Sequence, residues 1–344
     1  MLVHAPDPAI SFPHKAPPDA GQVVQVAPGI LWVRFFLPFL LNHVNVYLIE
    51  DGDGWAAVDT GIGIDDTKAA WEALFAGPLH GKKLTRVIGT HHHPDHIGLV
   101  GWLEQRFGMQ LYMPRTEFLF SLAITNSAFA ANRPYFKERG LPDEATERVT
   151  TMGLGYLRLV TGLPTQIQRL VHGQVLRIGG RDFQVLTGGG HSPEQAMLYC
   201  ASEKIFLSAD QVMTKISPNI GVPAMEPDSD PLGEYLASLA ALPGIVAEDA
   251  LVLPGHHLPF VGLAARVGEL AAHHAGRCAM IADACRDAPK TATDLLPVVF
   301  KRQLDPHQMS FAFGEVVAHV NYMRGRGELT QFRDLDDVLR VSAV

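Results

Sequence analysis

The chain has 344 residues, of which 47% are hydrophobic and 19% charged, and its formal net charge is −8. That length exceeds a usual single domain, so one large domain with a small appendage is expected, with enough apolar material for a sizeable core. The acidic balance argues against nucleic acid and anionic membranes as partners, and no run approaches the ~20 apolar residues of a bilayer span.

Residues 1–22 form a lead rich in proline (Pro6, Pro8, Pro13, Pro17 and Pro18) that lacks the basic-then-apolar pattern of a secretion signal, so a cytoplasmic location is expected. Cys200, Cys278 and Cys285 include no Cys-x-x-Cys pair, as expected in a reducing compartment; Cys278 and Cys285 fall seven apart and can share the buried face of a helix. Val23 to Val33 reads as strand. Arg34 to Leu41 is an apolar loop or strand end broken by Pro38. Strands follow at Val44 to Ile49 and Gly54 to Asp59, joined through the turn Asp51-Gly-Asp-Gly54. Apolar spacing predicts a helix from Asp65 to Phe75, N-capped by Asp65 or Asp66. Next come a strand from Leu84 to Gly89, a loop, a helix from His96 to Phe107, a strand from Met109 to Met113 and a helix from Arg115 to Phe129. This alternation is that of an α/β protein.

Residues 116–165 depart from it as a helical insertion rich in large apolar groups: Phe118, Phe120, Phe129, Tyr135, Phe136, Met152 and Tyr156. These side chains either form the core of an added helix pair or line a substrate cap, which would favour a substrate with an apolar part. Strand pairs return at 174–178 with 181–186 and at 195–200 with 204–207, then a strand at 250–253 and a long helix over 261–287. Residues 288–344 read as two helices (291–300 and 310–323) and a small hairpin (328–341). Residues 290–344 carry seven Lys/Arg and seven Asp/Glu, and this balance points to a structural or dimer-forming role over nucleic-acid binding.

The chemistry concentrates in Thr90-His91-His92-His93-Pro94-Asp95-His96, where His91, His93, Asp95 and His96 put four metal-type ligands within six residues. A helix or strand would scatter them. A loop at a strand end, turned by Pro94, lets them converge, and imidazole with carboxylate suits zinc and other borderline divalent ions. His92, between ligands, is expected to make a backbone or solvent contact, and Thr90 to hydrogen-bond within the loop.

With His191 in Gly188-Gly-Gly-His-Ser, Asp210 in Leu207-Ser-Ala-Asp, His256 in Leu253-Pro-Gly-His and Asp59 in Ala57-Val-Asp-Thr-Gly61, the chain resembles the metallo-β-lactamase superfamily of hydrolases over about residues 22–260. The resemblance implies an αββα sandwich of two mixed β-sheets flanked by helices, with residues 23–287 as the catalytic domain. It implies that His91, His93 and His191 hold one divalent ion, that Asp95, His96 and His256 hold a second, and that Asp210 bridges them. Zinc is the expected metal, with manganese or iron as variants. Asp59 would support the metal loop. A hydroxide shared by the ions would be the nucleophile, with Asp95 in proton transfer. Gly188, Gly189 and Gly190 would let His191 face inward, and Gly255 would do so for His256.

His257 stands where the family usually has glycine and is a candidate proton donor; Glu194 touches the site rim or caps a turn. His43, His80, His172, His273, His274, His307 and His319 show no partner pattern. The C-terminal segment resembles the winged-helix appendage of one branch. Asp210 separates the chain from the true β-lactamases and resembles the thioesterase, phosphodiesterase and lactonase branches; glyoxalase II is the nearest named activity, although its basic glutathione-binding segment has no counterpart here. The implied function is hydrolysis of a carboxylic ester, thioester or lactone in a small molecule. The alternatives are a phosphodiesterase and a non-catalytic sensor, the latter disfavoured by the complete ligand set.

Overall fold

The computed structural model describes residues 7–126, 132–152 and 158–344, and its strands form two large sheets and a hairpin. The first sheet runs in chain order: β1 (Val24–Ala27), β2 (Ile30–Phe36), β3 (His43–Asp51), β4 (Gly54–Val58), β5 (Leu84–Ile88), β6 (Gln110–Pro114) and β7 (Ile167–Leu170). Pairing is antiparallel as far as β4 and parallel from β4 to β7. The second sheet has the order β12-β11-β10-β9-β8, built from β8 (Val175–Ile178), β9 (Arg181–Gly188), β10 (Gln195–Cys200), β11 (Ile205–Ala209) and β12 (Leu251–Pro254). Of its pairs only β11 with β12 is parallel.

Strand periodicity builds the layers. In β3, Tyr47 and Ile49 enter the core between the sheets while Val44, Val46 and Leu48 face the helices; in β10, Ala196, Leu198 and Cys200 point inward while Met197 and Tyr199 point outward. Phe183, fully buried between the sheets, contributes ~1.5–3 kcal/mol by burial. The outer face of the first sheet is covered by α1 (Asp65–Ala76) and by α3 (Val100–Phe107), which follows the single turn α2 (Pro94–Ile97); Trp71, Leu74, Phe75 and Leu103 pack there against Val33 and Phe35. This is the expected αββα sandwich.

The remaining helices are α4 (Arg115–Asn126), α5 (Arg133–Lys137), α6 (Asp143–Met152), α7 (Pro231–Ala241), α8 (Leu263–Arg286), α9 (Ala292–Val299) and α10 (Pro306–Gly325), and the chain closes with the hairpin of β13 (Leu329–Arg333) and β14 (Leu339–Ala343). Leu296, Phe313, Val316 and Val341 of this C-terminal part share one core with Met197, Phe206, Tyr235 and Leu239. The appendage therefore packs over α6, α7 and α8, and α7 lies against β9 of the second sheet. Tyr135 and Phe136 of the insertion meet Phe313 edge-on and tilted, with ring centroids 6.2 and 5.4 Å away, so these two rings serve that core. Phe129 and Tyr156 lie outside the described residues, as do the side chains of Met152 and His307. Among the described residues no helix is long and apolar enough to cross a membrane.

Local differences have local causes. The N-cap of α1 is Ile64, without a side-chain bond, and Asp65 instead pairs with Lys68 within the first turn. The helix expected over 96–107 is interrupted at Gly98 and Leu99, where a Cβ on Gly98 would meet Gly63 N at 2.3 Å. β7 is a four-residue edge strand, apolar only at its two ends, with little alternation to read. α7 carried a readable signal in Asp230-Pro231: the Asp230 carboxylate accepts the Gly233 N–H and Pro231 occupies the first turn.

Candidate metal centre

The parallel strands β5, β11 and β12 end on one edge of the sandwich, and each end delivers a polar residue: the His91–His96 loop, Asp210 and His256. His191 arrives from the turn between β9 and β10. Three overlapping trios result, His91 with His93 and His191, His91 with His96 and Asp210, and Asp95 with His96 and His256; within each, the ligand-type atoms lie within 4.8 Å of one another. Asp210 reaches both ends of the cluster. Its carboxylate is 3.5 Å from His191 Nε2, 3.5 Å from His96 Nε2 and 3.3 Å from His256 Nε2, while Asp95 Oδ2 is 3.4 Å from His256 Nε2.

Four of the five imidazoles are aimed by a bond on the far nitrogen, whereas His93 has its Nδ1 2.9 Å from His91 Nε2. His96 Nδ1 donates to Asp59 Oδ2 at 2.7 Å, His191 Nδ1 to the Asn219 carbonyl at 2.8 Å and His256 Nδ1 to the His43 carbonyl at 2.6 Å. Thr90 Oγ1 donates to Asp59 and so accepts from His91 Nδ1 at 2.9 Å. These bonds fix the tautomers and turn Nε2 inward on all four rings. Asp59 also accepts the Thr90 N–H at 2.8 Å, holding the start of the loop. His43, which showed no partner pattern in sequence, therefore anchors His256, and its own Nε2 accepts the His257 N–H at 2.8 Å.

The backbone is tight where it must be. Asp59, Ala209 and His257 have φ of 67°, 45° and 68°, left-handed values that cost of order 1–3 kcal/mol each. At Gly255 a Cβ would lie 2.2 Å from Asp210 Oδ1, so only glycine lets the chain pass that carboxylate, and Gly190 turns at φ 105° beneath His191.

Electrostatics agrees with a cation site. Burial lowers the pKa of His91 and His93, and their imidazole neighbours lower it further, so both are neutral. Burial opposes ionisation of Asp95 and Asp210, but His96 and His256 outweigh it and hold both below the usual carboxylate range. Burial would likewise lower His96 and His256, yet the surrounding carboxylates raise both, His256 to about 9. His96 Nε2, His191 Nε2 and Asp210 Oδ1 are buried without a hydrogen-bond partner. Three buried polar atoms left without a partner, in a cluster of imidazoles and carboxylates, fit divalent cations. The side chains of His96 and His256 are buried while Asp95 is 20% exposed, and His93 and His191 are also partly exposed, so the open side runs along these three residues.

Other residues take different places. His92 turns away from the cluster onto Glu117 Oε2 at 2.8 Å, a side-chain partner in place of the expected backbone or solvent contact. Burial opposes Glu117 ionisation, but bonds from His92 and the Glu194 N–H hold its carboxyl below the usual range. The Glu194 side chain accepts the Thr116 N–H at 3.2 Å, capping the start of α4. His257 is largely buried, its carbonyl accepts from Asn45 at 2.9 Å, and burial lowers its imidazole to about 4. Asn219 and Glu117 were not singled out in the sequence, because one acts through a carbonyl and the other from a distant helix. Asn219 is itself held by the appendage: its Nδ2 donates to the Phe311 carbonyl of α10 at 3.1 Å, and Val222 N donates to Gly314 O at 3.3 Å.

Known proteins are similar to this chain in sequence and fold. The sequence model of the metallo-beta-lactamase superfamily matches residues 41–256, and that of the metallo-beta-lactamase-like C-terminal domain matches residues 278–344. A crystallised beta-lactamase domain protein from Burkholderia ambifaria is 37% identical, with a TM-score of 0.91 over 97% of this chain and 98% of that one. A metallo-beta-lactamase family protein from Thermus thermophilus is 28% identical, with a TM-score of 0.80 over 93% of this chain and 100% of that one. The probable metallo-hydrolase YqjP of Bacillus subtilis (strain 168) is 23% identical over 317 residues, 88% of this chain and 94% of that relative. By its folded edge of histidines and aspartates and by these matches, the chain belongs to the metallo-beta-lactamase superfamily of metal-dependent hydrolases.

Proposed function

We propose that this chain is a two-metal hydrolase of a carboxylic ester or thioester, with a lactone as the cyclic variant. The observation that carries the reading is Asp210, whose carboxylate stands within 3.5 Å of His191 at one end of the cluster and 3.3 Å of His256 at the other. In this reading His91, His93 and His191 hold one ion, Asp95, His96 and His256 hold the second, and Asp210 serves both. Bound there, two divalent ions, zinc foremost with manganese or iron as variants, would supply Lewis-acid activation of water and of the scissile carbonyl. The Nδ1 anchors on Asp59, Asn219 and His43 keep the ring nitrogens preorganised. Asp95, the most exposed carboxylate of the cluster, handles the proton delivered to the leaving group. No serine or cysteine nucleophile is needed.

An apolar part of the substrate finds support in the β2–β3 turn. Phe36 pairs with His43, the residue that anchors His256, and Phe36, Phe39 and Leu40 are exposed beside it. The test is a screen of the purified protein with zinc, manganese or iron against thioesters, esters, lactones and phosphodiesters. Turnover of the acyl substrates is expected; turnover confined to phosphodiesters, with salt-sensitive RNA binding, overturns the ester reading. Asp210→Ala is expected to abolish turnover and to lower metal content from two ions per chain toward one. Full activity in that variant refutes the mechanism.

A further inference from the structure

The ligands assigned to the first ion come from two separate segments: His91 and His93 from the loop after β5, and His191 from the turn before β10. Their bases are already joined, since the Ala196 N–H donates to the Thr90 carbonyl at 2.8 Å. Their outer ends meet at one side chain. Glu117, in the first turn of α4 and with 0% exposure, accepts the His92 N–H on Oε2 at 3.0 Å and the Glu194 N–H on Oε1 at 2.6 Å, while Oε2 also lies 2.8 Å from His92 Nδ1. His92 sits between His91 and His93, and Glu194 is three residues beyond His191. The contact is mutual, because the Glu194 side chain accepts the Thr116 N–H at the start of the same helix.

A fully buried carboxylate is costly unless its oxygens are well supplied with donors, and here each oxygen is satisfied by the backbone of a different ligand-bearing segment. Removing it would leave two N–H groups buried and free the two segments to move relative to each other. We propose that Glu117 is a positioning residue for the first metal: it clamps the His91–His93 loop to the His191 turn and so sets the spacing of that ion's three ligands. The same clamp turns His92 outward, which keeps a third imidazole of the loop away from the ions. Partners that orient ligands in this way typically change metal affinity by about 10- to 100-fold when removed.

This inference rests on the reading that His91, His93 and His191 hold a metal, and the experiment separates the two. Wild type, His91→Ala, Glu117→Gln and His92→Ala are titrated with cobalt(II) and zinc chlorides, following ions bound per folded chain, dissociation constants and the cobalt electronic spectrum. If His91→Ala retains wild-type stoichiometry and affinity, the metal reading itself fails. If His91→Ala loses an ion, Glu117→Gln is expected to bind the first ion about 10- to 100-fold more weakly with an altered cobalt spectrum, the second ion being little changed. His92→Ala keeps the backbone donors and is expected to fall between wild type and Glu117→Gln. A Glu117→Gln protein that melts earlier without metal but shows wild-type affinity and spectrum overturns the inference, because a purely structural carboxylate predicts that result. Should Glu117→Gln fail to fold, the His92→Ala spectrum decides: a wild-type spectrum and affinity overturn the clamp, and an intermediate shift supports it.

Discussion

Two groups of buried histidines show what a metal site requires beyond burial. At the sheet edge, His91 and His96 are completely buried; so are His274 of α8 and His319 of α10, behind the second sheet. In the second group the rings face each other, with His274 Nδ1 3.1 Å from His319 Nε2, and His319 Nδ1 donates to the Glu315 carbonyl at 2.7 Å. The Glu315 carboxylate is paired with Arg277, and the His274 ring meets the edge of Tyr235. Burial first, then neighbouring histidine and arginine, pushes both imidazoles far below their ordinary pKa. At the metal centre burial acts in the same sense, but Asp59, Asp95 and Asp210 oppose it and the Nδ1 bonds of His91, His96, His191 and His256 face outward. Burial alone selects a neutral imidazole. Converging Nε2 atoms beside carboxylates are what make a ligand set.

The largest effect expected from this contrast is at Asp59. Asp59→Ala removes the acceptor that aims His96 and holds Thr90, so metal affinity measured by chelator competition should fall by about 10- to 100-fold. Unchanged affinity would show that the outward anchors are dispensable.

A smaller effect is expected at the α8–α10 pair, with a sign set by linkage. An unfolded histidine takes up its proton near pH 6.5, whereas folded His274 resists it. Below that pH the unfolded state binds more protons, so stability is lost as pH falls, at ~1.4 kcal/mol per pH unit for each such group. In denaturant unfolding at pH 7.5 and 5.5, His274→Gln should narrow the wild-type stability difference by about 1 kcal/mol. An equal drop in both proteins would mean the pair carries no such penalty.

The smallest effect belongs to a histidine of neither kind. His80 is exposed with φ of 52° in the turn after α1. His80→Gly should leave metal content unchanged and move stability by less than ~1 kcal/mol, since relief of the left-handed backbone offsets the entropy of glycine.

The ligands of one loop were legible because their chemistry is carried by side-chain identity and by short spacing: His91-x-His93-x-Asp95-His96 needs only a strand end to bring it together, whereas His191, Asp210 and His256 were marked by the family resemblance. The strands flanking it were legible because alternation reports which face is buried. What supports the site was not. The Asn219 and His43 contributions are carbonyl oxygens, which every residue has, so no residue type marks them. Glu117 sits on a helix more than seventy residues before His191, and its partners include backbone N–H groups. The C-terminal segment was readable as helices and a hairpin, but its contact with the Asn219 loop depends on the packing of α10 against α7 and α8.

Residue identity and periodicity thus determined the α/β alternation, the strand ends on which the chemistry sits and which side chains of the histidine-rich loop could bind cations, because these follow from local spacing and burial; the layered sandwich was implied by the family resemblance. Only the tertiary structure decided which nitrogen each histidine presents, that Asp210 touches both ends of the cluster, and that α4 and α10 brace it. Those depend on distances between segments far apart in the chain, and such distances arise only when the sheets and helices have packed.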